Sequence, residues 1–208
     1  AVMDAGGPVS LFGDWLSPEV AGTVTVTGDS TINVNAPNSG EARITHLVLD
    51  DEATLHTTGM GALRVSGTTT TLPEGAVTLD TATDMYIGKV TDGASTGTTV
   101  AKTGDAALVF DYTAAGDADG DATTFDLQAG TLAIVADDSG NDPLGGAAVQ
   151  VTGADAHLAV ASKTPTAAVA APIDVDVSTV LTAGAGYAGT ATGATVSLDG
   201  TITVATDQ

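Results

Sequence analysis

Cysteine is absent from this chain of 208 residues, and aromatic residues make up only 3% of it. The first absence excludes disulfide bridges and thiolate metal sites, and it leaves the compartment open. The second means that the hydrophobic residues, 43% of the chain, are mainly Val, Ala, Leu and Ile. We expect such side chains to form thin, repetitive layers, because a globule of this size would use larger aromatic anchors.

Basic residues are also scarce, since five Lys and Arg stand against 26 Asp and Glu, a formal net charge of −21 at pH 7. This charge repels phosphate backbones and anionic lipids, so we expect no binding to nucleic acid or to a membrane surface. No apolar run approaches the roughly 18 residues of a membrane helix, and no signal-peptide pattern opens the chain. We therefore expect no membrane insertion. The first residue, Ala1, fits removal of a signal peptide and equally fits a fragment of something larger.

Short bursts in which apolar residues recur at every second position run along the chain. Period two places the members of each burst on one face of a strand, with polar residues such as Thr78 and Gln150 on the wet face. The bursts are Val24 and Val26, Ile32 and Val34, Leu47 and Leu49, Leu63 and Val65, Val77 and Leu79, Leu108 and Phe110, Leu132 and Ile134, Val149 and Val151, Leu158 and Val160, Ile173 with Val175 and Val177, Val196 and Leu198, and Ile202 and Val204. Helical periodicity is nearly absent, which predicts an all-β fold.

The stretch from Val9 to Val20 is the exception to this alternation. Leu11, Phe12, Trp15 and Leu16 concentrate much of the bulk of the chain there, and Ser17-Pro18 is typical of a stop. We predict a short turn or cap, with residues 1–20 as an N-terminal cap segment and residues 21–208 as one β-solenoid domain.

An internal repeat precedes many of the bursts: a turn residue and a small residue, then the apolar pair. From Ile32 the residues that follow this lead-in are Leu55, Leu79, Leu108, Leu132 and Leu158, at spacings of 23, 24, 29, 24 and 26 residues. Self-similarity at this period indicates a solenoid, in which each coil buries its apolar face against its neighbours. The alternative is an antiparallel β-sandwich, which uses the same alternation with hairpin turns.

The segment from Val100 to Val160 contains Lys102-Thr-Gly-Asp-Ala-Ala-Leu-Val-Phe110, then Gly130-Thr-Leu-Ala-Ile-Val135 and Leu144-Gly-Gly-Ala-Ala-Val-Gln-Val151. This segment resembles the autotransporter-associated β-strand repeat, whose pattern is approximately Lys-x-Gly-x-Gly-x-Leu-x-Leu, a loop, then Gly-Gly-Thr-x-Ile-x-x-Gly-Thr-Leu-x-Val and Leu-Gly-x-x-x-Val-x-Val. Ala106 replaces the second Gly of the first run, and Thr123-Thr124-Phe125 stand where the pattern has Gly-Gly-Thr-x-Ile. The resemblance implies a right-handed parallel β-helix of the kind found in secreted passenger stalks, located outside the cell or on its surface, and it carries no catalytic residues.

Asp117, Asp119 and Asp121 form the best candidate metal site, because carboxylates at alternate positions of a tight loop can converge on Ca²⁺. The match to a calcium loop is incomplete, and a solvated acidic loop is the alternative. His46, His56 and His157 have no paired spacing that would predict a zinc site.

A polysaccharide lyase or glycosidase is the enzymatic alternative, because parallel β-helices can carry such sites on one sheet face. Five basic residues are too few for a cluster that neutralises uronates, and one Trp and three Tyr give few platforms for sugars. We therefore expect a protein that is not an enzyme.

The last strand-like segment, Ile202 to Gln208, runs almost to the last residue of the sequence with no bulky cap after it. Because open strand edges pair with other chains, this favours self-association into a homopolymer. We therefore expect a secreted structural protein that forms an extracellular fibre, sheath or surface layer by end-to-end assembly. The alternative is an adhesin or passenger stalk, and a cell-surface polysaccharide is a further candidate partner.

Overall fold

The computed structural model of the protein describes residues 3–4, 9–12, 19–36, 40–50, 52–71, 76–92, 97–111, 122–136, 144–169, 171–176, 180–183, 195–198 and 201–204. Within these ranges every regular element is a β-strand. In chain order the strands are β1 (Met3–Asp4), β2 (Val9–Phe12), β3 (Glu19–Val26), β4 (Asp29–Asn35), β5 (Glu41–Leu49), β6 (Thr54–Met60), β7 (Ala62–Thr71), β8 (Ala76–Thr81), β9 (Met85–Asp92), β10 (Thr98–Thr103), β11 (Ala107–Phe110), β12 (Thr123–Leu127), β13 (Gly130–Ala136), β14 (Ala148–Val151), β15 (Ala156–Ser162), β16 (Thr166–Val169), β17 (Ile173–Val175), β18 (Val180–Ala183), β19 (Thr195–Leu198) and β20 (Ile202–Val204).

The described strands form two sheets of nine strands and one sheet of two, and every pairing is parallel. The first sheet has the order β1-β3-β5-β7-β9-β11-β13-β15-β18 and the second the order β2-β4-β6-β8-β10-β12-β14-β17-β20, while β16 pairs with β19. The chain therefore alternates between the two long sheets, and each coil contributes a strand to both. This arrangement confirms the predicted parallel β-solenoid and does not support the antiparallel sandwich. The right-handed winding stays a prediction.

Ladders of apolar side chains fill the interior between the sheets. In the first sheet these ladders are Leu108, Leu132 and Leu158, and next to them Phe110, Ile134 and Val160, all at most 2% exposed. The rings of Phe110 and Phe125 meet edge to face at a centroid distance of 4.8 Å, which joins a strand of the first sheet to one of the second. The interior is thus about two side chains thick, which explains why the sequence needs few aromatic residues.

The observed register confirms three of the five predicted repeat spacings. Leu55 pairs with Leu79, Leu108 with Leu132, and Leu132 with Leu158. The spacing from Ile32 to Leu55 is wrong by two residues, because Leu55 pairs with Ser30. The spacing of 29 residues from Leu79 to Leu108 is wrong because these residues belong to different sheets. The first mistake keeps the apolar side chains inside, since a shift of two residues along a strand preserves its face. In the second, Leu79 and Leu108 are both buried, but they belong to opposite sheets.

Carboxylates on the outer faces are separated along the solenoid axis. Asp126 pairs with Gln150, Gln150 with Asp174, and Asp174 with Thr203. Across the strand pairs of the described ranges, no Asp or Glu lies directly opposite another Asp or Glu. Because like charges in opposed positions destabilise a sheet, this interleaving allows a strongly acidic chain to stack.

The expectation that residues between the apolar pairs face water fails in one part of the first sheet. Ala133 and Val135 of β13, and Ala159 and Ala161 of β15, lie on the outer face but are buried in a second cluster with Val109. The sequence indicates this burial through the uninterrupted apolar runs from Leu132 to Ala136 and from Leu158 to Ala161, because a strand buried on both faces loses the alternation of apolar and polar residues.

The N-terminal stretch predicted as a turn contains a strand, since Val9–Phe12 forms β2 and pairs in parallel with β4. Val9 extends the inward alternation of β4, because it pairs with Ile32. Trp15 and Leu16 lie outside the described residues, so the cap role of residues 1–20 stays a prediction.

Candidate functional site: the terminal strand and the charged clusters

The terminal strand β20 exposes residues that occupy core positions of the fold. Ile202 pairs with Ile173, and Val204 pairs with Val175. Ile173 is 3% exposed, whereas Ile202 is 47% and Val204 is 60% exposed. The two side chains continue the inward ladders of the second sheet, but no described strand pairs with the far edge of β20. Among the described residues, these two side chains are thus apolar, at core positions of the ladder, and exposed.

The terminal strand also lacks the features that usually protect an edge. Thr201, Ile202, Thr203 and Val204 are all exposed, and none of them is charged or is proline. Natural sheets commonly protect their edges from pairing with charged residues, proline or bulges. Within a chain of net charge −21, a neutral and apolar edge is a distinct surface.

The predicted calcium ligands Asp117, Asp119 and Asp121 lie outside the described residues, so their site stays a prediction. In the part of the chain that the structure describes, no group of three or more His, Cys, Asp or Glu side chains is arranged to hold a metal ion.

The three histidines lie apart on β5, β6 and β15. His56 contacts two carboxylates: its Nε2 lies 3.0 Å from Oδ1 of Asp29, and its Nδ1 lies 2.7 Å from Oδ2 of Asp80. The hydroxyl of Thr103 donates to the other oxygen of Asp80 at 3.3 Å. The ring therefore bridges two carboxylates on neighbouring strands. Both of its nitrogens are engaged, so the arrangement connects coils rather than presenting a free base.

A second ionic group, the Arg64 cluster, lies on the outer face of the first sheet and consists of Arg64, Glu41, Asp111, Tyr86 and Lys163. Arg64 donates from Nε to Glu41 at 2.8 Å and from Nη1 to Asp111 at 2.6 Å. Its guanidinium stacks on the ring of Tyr86, and Lys163 donates to the backbone oxygen of Asp111. The cluster ties together strands that are distant in sequence.

The pKa values in the Arg64 cluster follow from its geometry. Burial opposes the charge of Glu41, but hydrogen bonds and charge attraction from Arg64 and Arg43 outweigh it and hold its pKa below the ordinary value. Burial likewise opposes the charge of Arg64, while Asp111 and Glu41 outweigh it and raise its pKa. Burial and the charge of Asp84 raise the pKa of Tyr86. The charged forms of Glu41 and Arg64 thus stabilise each other, whereas Tyr86 is held in its neutral form.

Lys102 is the third notable ionic group, and it lies inside the core. It is 0% exposed and occupies the ladder position between Leu79 and Leu127. Its ammonium donates to three backbone oxygens, those of Thr103 at 2.7 Å, Gly104 at 2.8 Å and Ala129 at 3.0 Å. We call these three oxygens the carbonyl cage. Burial lowers the pKa of Lys102 to about 8, although the charges of Asp80 and Asp105 oppose this shift.

The outer face of the second sheet carries a shallow depression of about 370 Å³. Its polar lining comes from Thr124, Gln150, Asp174, Thr201 and Thr203, and its apolar lining from Ala148, Val149, Pro172 and Ile173. No basic residue lines it, so it is suited to a neutral, hydroxyl-bearing ligand and not to an anion.

Comparison of the chain with protein-family models, with curated proteins and with solved structures finds no match. The likeness of Val100 to Val160 to the autotransporter-associated repeat therefore stays a prediction. Among the described residues no helix is long and apolar enough to cross a membrane. A solenoid fold alone does not determine function, which depends on the residues of particular sites.

Proposed function

We propose that the protein is a non-enzymatic structural protein that stacks end to end in an extracellular fibre, sheath or surface layer. The observation that carries this proposal is the exposure of Ile202 and Val204 at core positions of the terminal strand. Covering these side chains with another copy stabilises the contact by about 1.5 to 3 kcal/mol for each one fully buried. The unpaired backbone groups of the same edge gain partners in the same step.

The engagement of ionisable groups supports a structural function over a catalytic one. His56 bridges two carboxylates, Arg64 is shared between two more, and Lys102 is enclosed by backbone oxygens. Each of these groups links coils to one another. A general acid or base, in contrast, must reach a substrate with its reactive atom.

The assembly is tested by electron microscopy and light scattering of the purified chain over a range of concentrations. We expect filaments whose length grows with concentration. The variant Ile202→Asp should remain monomeric, because it places a charge on the apolar contact. The matched control is Thr201→Asp, which adds the same charge to the adjacent position beside β20 and should still assemble; Thr203 is not used, because its pairing partner is Asp174.

Two results would count against end-to-end assembly. A chain that stays monomeric at high concentration, in low and high salt and with or without Ca²⁺, favours the stalk that holds a binding tip. Equal loss of assembly in Ile202→Asp and Thr201→Asp would mean that added charge, and not the apolar contact, governs association.

A polysaccharide-binding surface is the second candidate, and it rests on the depression around Gln150 and Asp174. Amide, carboxylate and hydroxyl groups of this kind bond sugar hydroxyls, and the neighbouring Pro172 gives an apolar contact. Retention on columns of neutral polysaccharides tests it, with Asp174→Ala expected to reduce retention. Unchanged retention in this variant excludes the depression as the binding surface.

A further inference from the structure

The solenoid has a register problem that its apolar ladders do not solve. Apolar residues fill most inward positions of the second sheet around Lys102, as at Leu79, Leu127 and Val151. The other buried polar side chains of this sheet are uncharged, namely Ser30, Thr57, Thr81, Thr98 and Thr123. If β10 slips by two residues against β12, an apolar side chain can still meet an apolar side chain, as Val100 would meet Leu127. The apolar pattern therefore determines which residues face inward, but not which rungs are paired.

Lys102 distinguishes the observed register from a shifted one, because its ammonium has all three of its hydrogen-bond partners only in the observed register. Two oxygens of the carbonyl cage, from Thr103 and Gly104, belong to its own turn, but the third belongs to Ala129 on the next coil. Gly130 makes the approach possible, since a Cβ at that position would lie 2.9 Å from the ammonium nitrogen. The site depends on both coils.

A slip of two residues between β10 and β12 would move the oxygen of Ala129 by about 7 Å along the strand. The ammonium would then lose its partner on the next coil while it stayed among apolar side chains. A buried charge without its partners is strongly unfavourable, whereas the correct register keeps every contact.

We infer that Lys102 and its carbonyl cage fix the stacking register of the coils that contain β10 and β12. A polar group buried in a largely apolar seam has the same effect in coiled coils, where one buried Asn selects the register. The inference is independent of end-to-end assembly, because it concerns contacts within one chain.

The absence of cysteine allows a direct test by disulfide trapping. Thr99→Cys with Thr124→Cys joins residues that are paired in the observed register. Ala101→Cys with Thr124→Cys joins residues two positions apart, about 8 Å between Cα atoms, which is too far for a disulfide unless the strands slip. With Lys102 present, we expect oxidation to trap only the first pair. In Lys102→Met, both pairs should be trapped in comparable yield.

Trapping of only the first pair in folded Lys102→Met would overturn the inference, since the register would then be set elsewhere. Trapping of the second pair with Lys102 present would overturn it as well. Lys102→Leu, which matches Leu79 and Leu127, serves as the second variant. Failure of both variants to fold by circular dichroism would also overturn it, because the inference requires that an apolar side chain can fill this position.

Discussion

The guanidinium carbon of Arg64 lies 4.5 Å from the centre of the Tyr86 ring, on the neighbouring strand of the first sheet. The same guanidinium holds Glu41 and Asp111, whose side chains are only 21% and 10% exposed. One side chain therefore combines stacking with two charged hydrogen bonds. Its loss would leave Asp111 buried beside fewer donors.

We expect Arg64→Ala to lower the free energy of unfolding by about 2 to 3 kcal/mol, because it leaves a buried carboxylate without its main partner. Arg43 is the matched control: it contacts the same Glu41, but its side chain is 46% exposed. Arg43→Ala should cost less than about 1 kcal/mol. Urea denaturation of both variants measures the difference. Equal losses in the free energy of unfolding would show that the Arg64 cluster does not stabilise the fold more than an exposed ion pair does.

Leu132→Asp should destabilise the fold by several kcal/mol, because it buries an unpaired carboxylate in the centre of a ladder. Thr131→Asp adds the same charge to the adjacent, outward position and should change the free energy of unfolding by less than about 1 kcal/mol. Thermal melts of the two variants give the comparison. Similar melting temperatures would show that the assignment of the two faces of β13 is wrong.

The stability of the fold should depend on pH through Lys102. Burial lowers its pKa from 10.5 in the unfolded chain to about 8 in the fold, so between these values the unfolded chain binds more protons. Stability from this group therefore rises with pH from about 8 to 10.5. We expect Lys102→Met to be more stable than the natural chain at pH 7 and to lose most of this advantage by pH 10. An advantage that stays constant across this range would contradict the lowered pKa.

Calcium should bind weakly if at all, with Asp117, Asp119 and Asp121 as the likeliest ligands on the basis of their spacing. Calorimetric titration of the chain measures the affinity, and replacement of all three residues by Asn should abolish any heat of binding. The same heat of binding from the triple variant would show that calcium binds elsewhere in the chain.

The sequence predicted the fold well because period-two alternation and a repeat of about 24 residues are both local signals. It did not predict two sheets per coil, which is why the spacing from Leu79 to Leu108 crossed from one sheet to the other. The sequence could have predicted that Lys102 points into the core, since it stands two residues after Val100, an inward residue of β10. A basic residue in an apolar position of the repeat is such a signal.

The ionic contacts of Arg64 and His56 could not be predicted in the same way. Arg64 and Asp111 are 47 residues apart, and His56 and Asp80 are 24 residues apart. Each pair meets only because particular coils are stacked in a particular register. An uncapped edge at this segment was expected from the sequence, but the exposure of the Ile202 and Val204 side chains was not, because their alternation is the same as that of buried strands.

The interleaving of Asp126, Gln150 and Asp174 sets a length scale for the acidic surface. Two carboxylates separated by one neutral rung are about 9.5 Å apart along the axis, since neighbouring strands are about 4.8 Å apart. The Debye length is about 8 Å at physiological ionic strength and about 30 Å at 0.01 M salt. In the first medium each carboxylate is largely screened from the next, whereas in the second several rungs of negative charge act on one another. The repulsion between carboxylates along the axis therefore depends on the salt concentration. It grows as the ionic strength falls below the value at which the Debye length equals the distance of about 9.5 Å between them.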